Sequence, residues 1–329
     1  MKAQMRGKRN EPVKLKQVVS MELILPMEPI IREQVFDSED FIYQLKWDGV
    51  RMLVYSGKSR VELINKRLNK RTSQYPELKV LSSLLNGRQV VLDGEIVAFK
   101  DSRVSFPAVM RRDNARSERS ITMLLKEVPV NYIVFDLLWD EDKDLRTLPL
   151  MERKQRLQEL LTPQEGIHII EDFPSGSALF TAVQRANLEG IVAKRKTSLY
   201  LAGKKHRDWF KIKYRRRQTC VIGGYTLRNN IANSLLLGMY EEESLHYIGR
   251  ASSGLSENDW KELHSLLSSL HSDKAPFVAL PSKIARESYF VKPDLVVDVE
   301  FAEWTENMHL RSPVIKRVRG KELGVRGEG

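Results

Sequence analysis

The 329 residues suit two domains rather than one. Lys and Arg total 54 against 43 Asp and Glu, a formal charge of +11, and 42% of the chain is hydrophobic, which excludes a wholly disordered chain and suits a polyanionic partner. The single cysteine, Cys220, excludes an intrachain disulfide and a cysteine-rich zinc site, and no apolar run nears the roughly 18 residues of a membrane span.

In chain order, residues 1–20 carry Lys2, Arg6, Lys8, Arg9, Lys14 and Lys16 against Glu11 alone and show no apolar period. They are expected to form a mobile basic leader. Residues 21–216 alternate short β-rich runs with helical patterns. Strands are expected at 41–46, 50–56, 61–65, 89–99, 131–139, 167–173, 190–196 and 209–214. Leu179, Val183 and Ala186 mark one helix face, and Leu157, Leu160 and Leu161 another after Pro149. Without a repeating βαβ unit, this reads as an α+β domain with a mixed, mostly antiparallel sheet. Residues 217–312 change character. Strands are expected at 220–227, 235–240, 245–250, 289–292 and 295–305, and one helix is marked by Trp260, Leu263, Leu267 and Leu270. Five strands and one helix fit a small OB-fold β-barrel. Arg215, Arg216 and Arg217 read as an exposed hinge before it, and residues 313–329 as a basic tail.

The sharpest local signal is Lys46-Trp47-Asp48-Gly49-Val50-Arg51. A lysine at a strand end is firmly placed, and its neutral amine is a strong nucleophile. Only about one lysine in a few thousand is neutral at pH 7, and neighbouring cations raise that fraction. The same hexapeptide also reads as an Asp-Gly hairpin flanked by solvated charges. Glu95, in Asp93-Gly94-Glu95, and Glu189, at the head of Glu189-Gly190-Ile191-Val192-Ala193-Lys194, are hard oxygen donors suited to Mg²⁺, or ordinary surface acids. In Trp209-Phe210-Lys211-Ile212-Lys213-Tyr214, strand alternation puts Lys211 and Lys213 on one face, about 7 Å apart. Two ammonium groups at that spacing repel unless an anion, such as a phosphate, lies between them. A solvated edge strand is the alternative.

The ordered set KWDGVR, Asn65-Lys66-Arg67, Leu92–Glu95, Tyr132–Asp136, EGIVAK and WFKIK resembles the covalent nucleotidyltransferase superfamily, and most of all an ATP-dependent DNA ligase. The stretches Phe106-Pro107-Ala108-Val109-Met110-Arg111-Arg112 and Leu310-Arg311-Ser312-Pro313-Val314 are similar to the bacterial end-joining ligase domain. The resemblance implies that Lys46 attacks the α-phosphorus of ATP to give lysyl-AMP. AMP then passes to a DNA 5′-phosphate, and a 3′-hydroxyl displaces it. Gln44, Leu45, Arg51, Arg67, Glu95, Phe135, Lys211 and Lys213 would bind the nucleotide, with Phe135 stacked on adenine. Glu95 and Glu189 would hold Mg²⁺ or Mn²⁺. Arg67, Arg215, Arg216 and Arg217 would bind DNA. The implied partner is nicked double-stranded DNA, clamped by a two-domain monomer, with any end-bridging or repair protein separate. No membrane is involved, and the expected location is the cytoplasm, with the nucleoid if bacterial.

Two positions depart from the family pattern. Gln44 stands where relatives usually carry Glu; a neutral amide still hydrogen-bonds adenine. The final motif reads Arg319-Gly320-Lys321-Glu322 and lacks an Asp at the usual spacing, which bears on self-adenylylation. His206 reads as a polar loop residue, Trp260 as helix core, and Asp298 with Glu300 as an outward strand face. An RNA ligase, a GTP-using capping enzyme and a non-catalytic DNA clamp are the competing readings.

Overall fold

The computed structural model describes residues 21–58, 60–305 and 307–320; the expected leader and the last two residues of the Arg319–Glu322 motif lie outside them. The chain divides into two compact units, 1–213 and 214–329. In the first, β1 (Glu28–Ile31), β2 (Phe41–Leu45), β3 (Val50–Gly57) and β4 (Arg60–Asn65) lead to α1 (Leu81–Leu84). β5 (Val90–Lys100), β6 (Arg103–Val104), α2 (Phe106–Asp113), α3 (Glu118–Glu127), β7 (Val130–Asp140) and β8 (Lys143–Asp144) follow. The unit closes with α4 (Leu150–Leu160), β9 (Ile167–Ile169), α5 (Gly176–Arg185), β10 (Gly190–Arg195) and β11 (Lys205–Lys213).

These strands form two sheets. A seven-stranded sheet runs β4-β3-β5-β7-β8, with β6 on β5 and β9 on β7; a four-stranded sheet runs β1-β11-β10-β2. Only β7/β9 and β1/β11 are parallel, so the mostly antiparallel α+β expectation holds. Both faces of the larger sheet are covered. Along β3, Met52 and Val54 enter a core with Leu63, Leu92, Val134 and Leu157. The alternate residues Leu53 and Tyr55 enter a second core with Ile24, Met27, Tyr200 and Trp209. Period-two alternation with apolar residues on both faces is what a sandwiched strand requires. Helix α5 starts at Ser175, whose side chain accepts from the Ala178 amide, and buries Leu179 and Val183.

The second unit contains β12 (Arg216–Arg228), β13 (Ile231–Glu241), β14 (Ser244–Ala251), α6 (Glu257–Ser269), β15 (His271–Ser272), α7 (Ser282–Arg286), β16 (Tyr289–Phe301) and β17 (Val314–Gly320). They form an antiparallel sheet, β14-β13-β12-β16-β15, with β17 on β16, of the OB-fold type. Helix α6 begins with a Ser256/Asp259 capping box and buries Trp260, Leu263 and Leu267.

Three expectations need correction. The strands expected at 289–292 and 295–305 form one strand, β16, that ends at Phe301, and the pairing register with β12 shifts between Ile222 and Gly224. A proline, here Pro293, is tolerated where a strand is irregular and its missing N–H is not needed. The expected tail carries β17, which covers the other side of β16 and buries Ile315. The Arg215–Arg217 hinge is mostly strand, since Arg216 and Arg217 pair with Phe301 and Glu300. Asp298 and Glu300 are ion-paired across strands, Asp298 with Arg319, and Glu300 with Arg217 and Lys316. No helix among the described residues is long and apolar enough to cross a membrane.

Inside the first unit, Arg153 and Asp136 are both fully buried and joined by two bonds of 2.8 Å, while Arg153 also donates to the carbonyls of Leu148 and Ser198. Replacing Arg153 with Met strands a buried carboxylate. Urea unfolding should show a loss of about 3–5 kcal/mol.

Candidate active site

Strands β2 and β3 belong to different sheets, so Lys46-Trp47-Asp48-Gly49 is a crossing between sheets and not a hairpin. The passage is tight: a Cβ on Gly49 would lie 2.3 Å from the Ile96 carbonyl oxygen. The strand itself ends at Leu45. The Lys46 amide still donates to the Gly190 carbonyl at 2.9 Å. Gly190 has φ +152°, and a Cβ there would meet the Ile212 carbonyl at 2.2 Å, so only glycine fits at this seam.

Register builds one wall of the site. Gln44 pairs with Val192 and Val192 with Lys211, so these three lie in one row across β2, β10 and β11. All three line a cleft of about 540 Å³, which Leu45, Lys46, Arg51, Arg67, Glu95, Phe135, Lys194 and Trp209 also line. In the next row Gly190 pairs with Lys213. The carboxylate of the preceding Glu189 accepts from Lys46 Nζ at 2.6 Å through Oε2 and contacts Lys213 Nζ at 2.8 Å through Oε1. Glu189 thus lies between Lys46 and Lys213, a different pair from Lys211 and Lys213, between which an anion is expected from the sequence. Burial, followed by Lys213 and Lys46, lowers the Lys211 ammonium from its ordinary value.

Arg51 makes a two-pronged pair with the fully buried Asp93 at 3.0 and 2.6 Å, and donates to the Met27 carbonyl at 2.7 Å. Tyr200 closes the network by donating to Asp93 at 2.7 Å. Burial opposes the guanidinium charge, but Asp93, Tyr200 and Glu95 outweigh it and hold Arg51 above its ordinary value. Arg51 stands 5.2 Å from the Phe135 ring centroid, and so serves as a fixed wall charge. Arg67, by contrast, is exposed on the turn after β4, its amide capped by the Asn65 side chain at 3.0 Å. Gln44 is buried and donates through Nε2 to Asp172 Oδ1 at 2.7 Å.

Sequence reasoning passed over Asp93, Asp172, Trp209 and Lys194. Lys194 is buried, with Nζ 4.2 Å from the Phe135 ring centroid and 4.3 Å from that of Trp209. The signal was present, since strand alternation puts Lys194 on the cleft face with Val192. Arg215, Arg216 and Arg217 belong to the second unit and do not line this cleft. Arg215 donates to the Ser312 carbonyl at 3.3 Å. His206 lies beside Asp208 at 3.2 Å, away from the cleft lining.

No group of three or more His, Cys, Asp or Glu suited to a metal occurs among the described residues. Glu95 and Glu189 form a two-carboxylate set. Burial pushes the Glu95 carboxyl up to about 8, against the pull of Lys46 and Arg51, and the charges of Glu189 and Asp93 push the same way. Two mutually repelling carboxylates fit Mg²⁺, which completes its shell with phosphate oxygens and water rather than with a protein cage.

Burial pulls the Lys194 ammonium down to about 7. Between about pH 7 and its unfolded value of 10.5, the unfolded chain holds a proton that the folded chain has released. Its contribution to stability therefore rises with pH across that window, and below pH 7 the full cost of a buried ammonium applies. Urea unfolding at pH 7 and pH 9 should show the native chain gaining about 2 kcal/mol relative to Lys194→Met.

The family described as ATP dependent DNA ligase domain matches residues 26–213, and ATP dependent DNA ligase C terminal region matches residues 228–322. The multifunctional non-homologous end joining protein LigD of Mycolicibacterium smegmatis is 32% identical over 291 residues, covering 86% of this chain and 36% of that protein. The chain thus spans about a third of the length of this curated relative. Among solved structures, the ligase domain of M. tuberculosis LigD shares 30% identity and a TM-score of 0.53, covering 90% of this chain and 95% of that one. A mycobacterial DNA ligase D complexed with ATP and MES gives 30% identity and a TM-score of 0.54 over 91% of this chain and 96% of that one. The first family match spans more than half of the sequence and contains Glu189 and every residue lining the cleft, Lys46 and Glu95 among them, so the chain belongs to the ATP-dependent DNA ligase family.

Proposed function

We propose that this chain seals 5′-phosphate/3′-hydroxyl nicks in duplex DNA through a lysyl-AMP intermediate, in repair, recombination or end joining. The supporting observation is the placement of Lys46: its backbone is pinned at the sheet seam, and its amine lies in the cleft 2.6 Å from Glu189. In the first step Lys46 Nζ gives up a proton and forms a bond to the α-phosphorus of ATP, while the bond from that phosphorus to the pyrophosphate oxygen breaks. AMP passes next to the 5′-phosphate of the nick. The 3′-hydroxyl then displaces AMP and closes the phosphodiester.

Each side chain has a task set by its environment. Phe135 offers the adenine a flat face, and Gln44 and Leu45 meet the base edge. Arg51, fixed on Asp93, contributes a charge that needs no reorganisation as the reaction proceeds. Lys211 and Lys213 neutralise α-phosphate oxygens, over which phosphoryl transfer spreads charge. Arg67, exposed at the cleft, suits the nick 5′-phosphate, and Arg215, Arg216 and Arg217 suit backbone phosphates, making DNA binding salt-sensitive and independent of sequence. Glu95 serves the ribose or a metal, and Glu189 a metal; when bound, Mg²⁺ or Mn²⁺ supplies charge neutralisation at the phosphates. The chain acts in this reading as a monomer in the cytoplasm, and any end-bridging or repair protein is a separate chain.

Incubation with α-labelled ATP and Mg²⁺ should place label on Lys46, and chelation of the metal should prevent it. Lys46→Ala should take up no label and seal no nick with ATP. Glu189→Ala should slow labelling roughly 100-fold or more, on the scale of losing one preorganised electrostatic contact. Labelling from GTP alone would overturn the assignment.

A further inference from the structure

The base edge of the cleft contains an amide whose orientation is fixed from behind. Gln44 is 1% exposed, lines the cleft and is paired along β2 with Val192. A glutamine amide has two ends of nearly equal shape and opposite hydrogen-bonding character, so shape alone does not decide which end a base meets. Asp172 decides it. A carboxylate only accepts, and Oδ1 of Asp172 lies 2.7 Å from Gln44 Nε2. Asp172 is in turn ion-paired at 3.1 Å with Lys154 of α4, a lysine only 2% exposed. One N–H of Gln44 Nε2 is thereby committed to Asp172, which sets which end of the amide lies on that side, and no bond to Oε1 from the described residues accompanies it.

We propose that Asp172, held by Lys154, is a positioning residue that locks Gln44 with its carbonyl toward the nucleotide, making the site select 6-amino purine over 6-oxo purine triphosphates. The inference rests on the nucleotidyl-transfer reading above. The exocyclic amine of adenine donates to Gln44 Oε1. Guanine would set its O6 against that oxygen, leaving two acceptors face to face with no proton between them, an arrangement that rejects a substrate far more strongly than a lost apolar contact. The same lock accounts for Gln at a position where relatives usually carry Glu: a carboxylate on residue 44 would face the Asp172 carboxylate across hydrogen-bond distance and repel it.

The test uses the full chain and the rate of labelling of Lys46 by α-labelled ATP and, separately, GTP. Asp172→Ala frees the amide to turn, and the ATP-to-GTP rate ratio should fall about tenfold or more. A purely structural defect would lower both rates together and leave the ratio unchanged, which would overturn the proposal. Gln44→Glu alone should lose roughly 100-fold in ATP labelling. Adding Asp172→Asn, which removes the repelling charge and can turn its amide to donate to the new carboxylate, should restore most of that loss. Full activity in Gln44→Glu, or no rescue by the second change in a chain whose thermal unfolding stays cooperative, would also overturn it. Absence of any Lys46 adduct in the unaltered chain would instead sink the ligase reading, and this inference with it.

Discussion

One carboxylate at the seam between two sheets holds the site together. Glu189 reaches Lys46 through one oxygen and Lys213 through the other, and Gly190, the next residue, receives the Lys46 amide. Backbone and side chain therefore bind the same two strands at the same point. Lysines just past the end of β2 and at the end of β11, which would otherwise repel, are joined through the anion of the residue that precedes β10. The register depends on this as much as the charges do, because a slip of one residue would turn the row Gln44–Val192–Lys211 away from the cleft. The two glycines at the crossing, with no space for a Cβ, make the seam intolerant of adjustment.

Behind that seam lies a polar network that is unusually well partnered for its depth. Arg51, Asp93 and Tyr200 share bonds, Arg153 and Asp136 form a closed pair, and Lys194 lies between two aromatic rings. Networks of this kind specify a unique arrangement when every member is satisfied. Lys194 is the member without a hydrogen-bond acceptor. Its charge is balanced only by ring faces and by Asp136 and Asp93 at a distance, which is why its proton is loosely held.

The legible part of the fold was the part set by local pattern. β5 and β7 are long, largely apolar runs interrupted by acids, and α5 and α6 repeat apolar residues with helical spacing, so both kinds of element could be read directly. β1 and β17 were missed because short edge strands are defined by their partners rather than by their own residues. β16 was split at Pro293 because a proline breaks the pattern even where the pairing can step over it. The site divides in the same way. Lys46, Glu189 and the two lysines of β11 lie at or near strand ends, and Glu95 and Phe135 lie mid-strand, all inside recognisable motifs. Asp172 touches Gln44 across 128 residues, and no spacing rule reaches that far. Arg51 was legible as a residue of the site but not as a locked one, since its partner Asp93 was passed over in favour of Glu95 within the same motif.

The charges of the site fall into a fixed class and an exchangeable class, and burial separates them. Lys46, Glu189 and Lys213 are 22%, 15% and 40% exposed. Pairs with this much exposure are partly screened by water and weaker than a pair with a fully buried partner. A triphosphate with several charge-assisted bonds to offer can therefore replace Glu189 as the partner of either lysine at little cost. Arg51 and Asp93 are 13% and 0% exposed, and removing one partner of such a pair costs about 3–5 kcal/mol, so an incoming phosphate does not win Arg51 away. Lys46, the proposed nucleophile, is thus held by a contact more open to water than the Arg51–Asp93 pair of the wall. In the proposed reaction Glu189 would be released from its lysines as the triphosphate arrives, and Glu95, its carboxyl raised by burial, would stand beside it as the second oxygen donor.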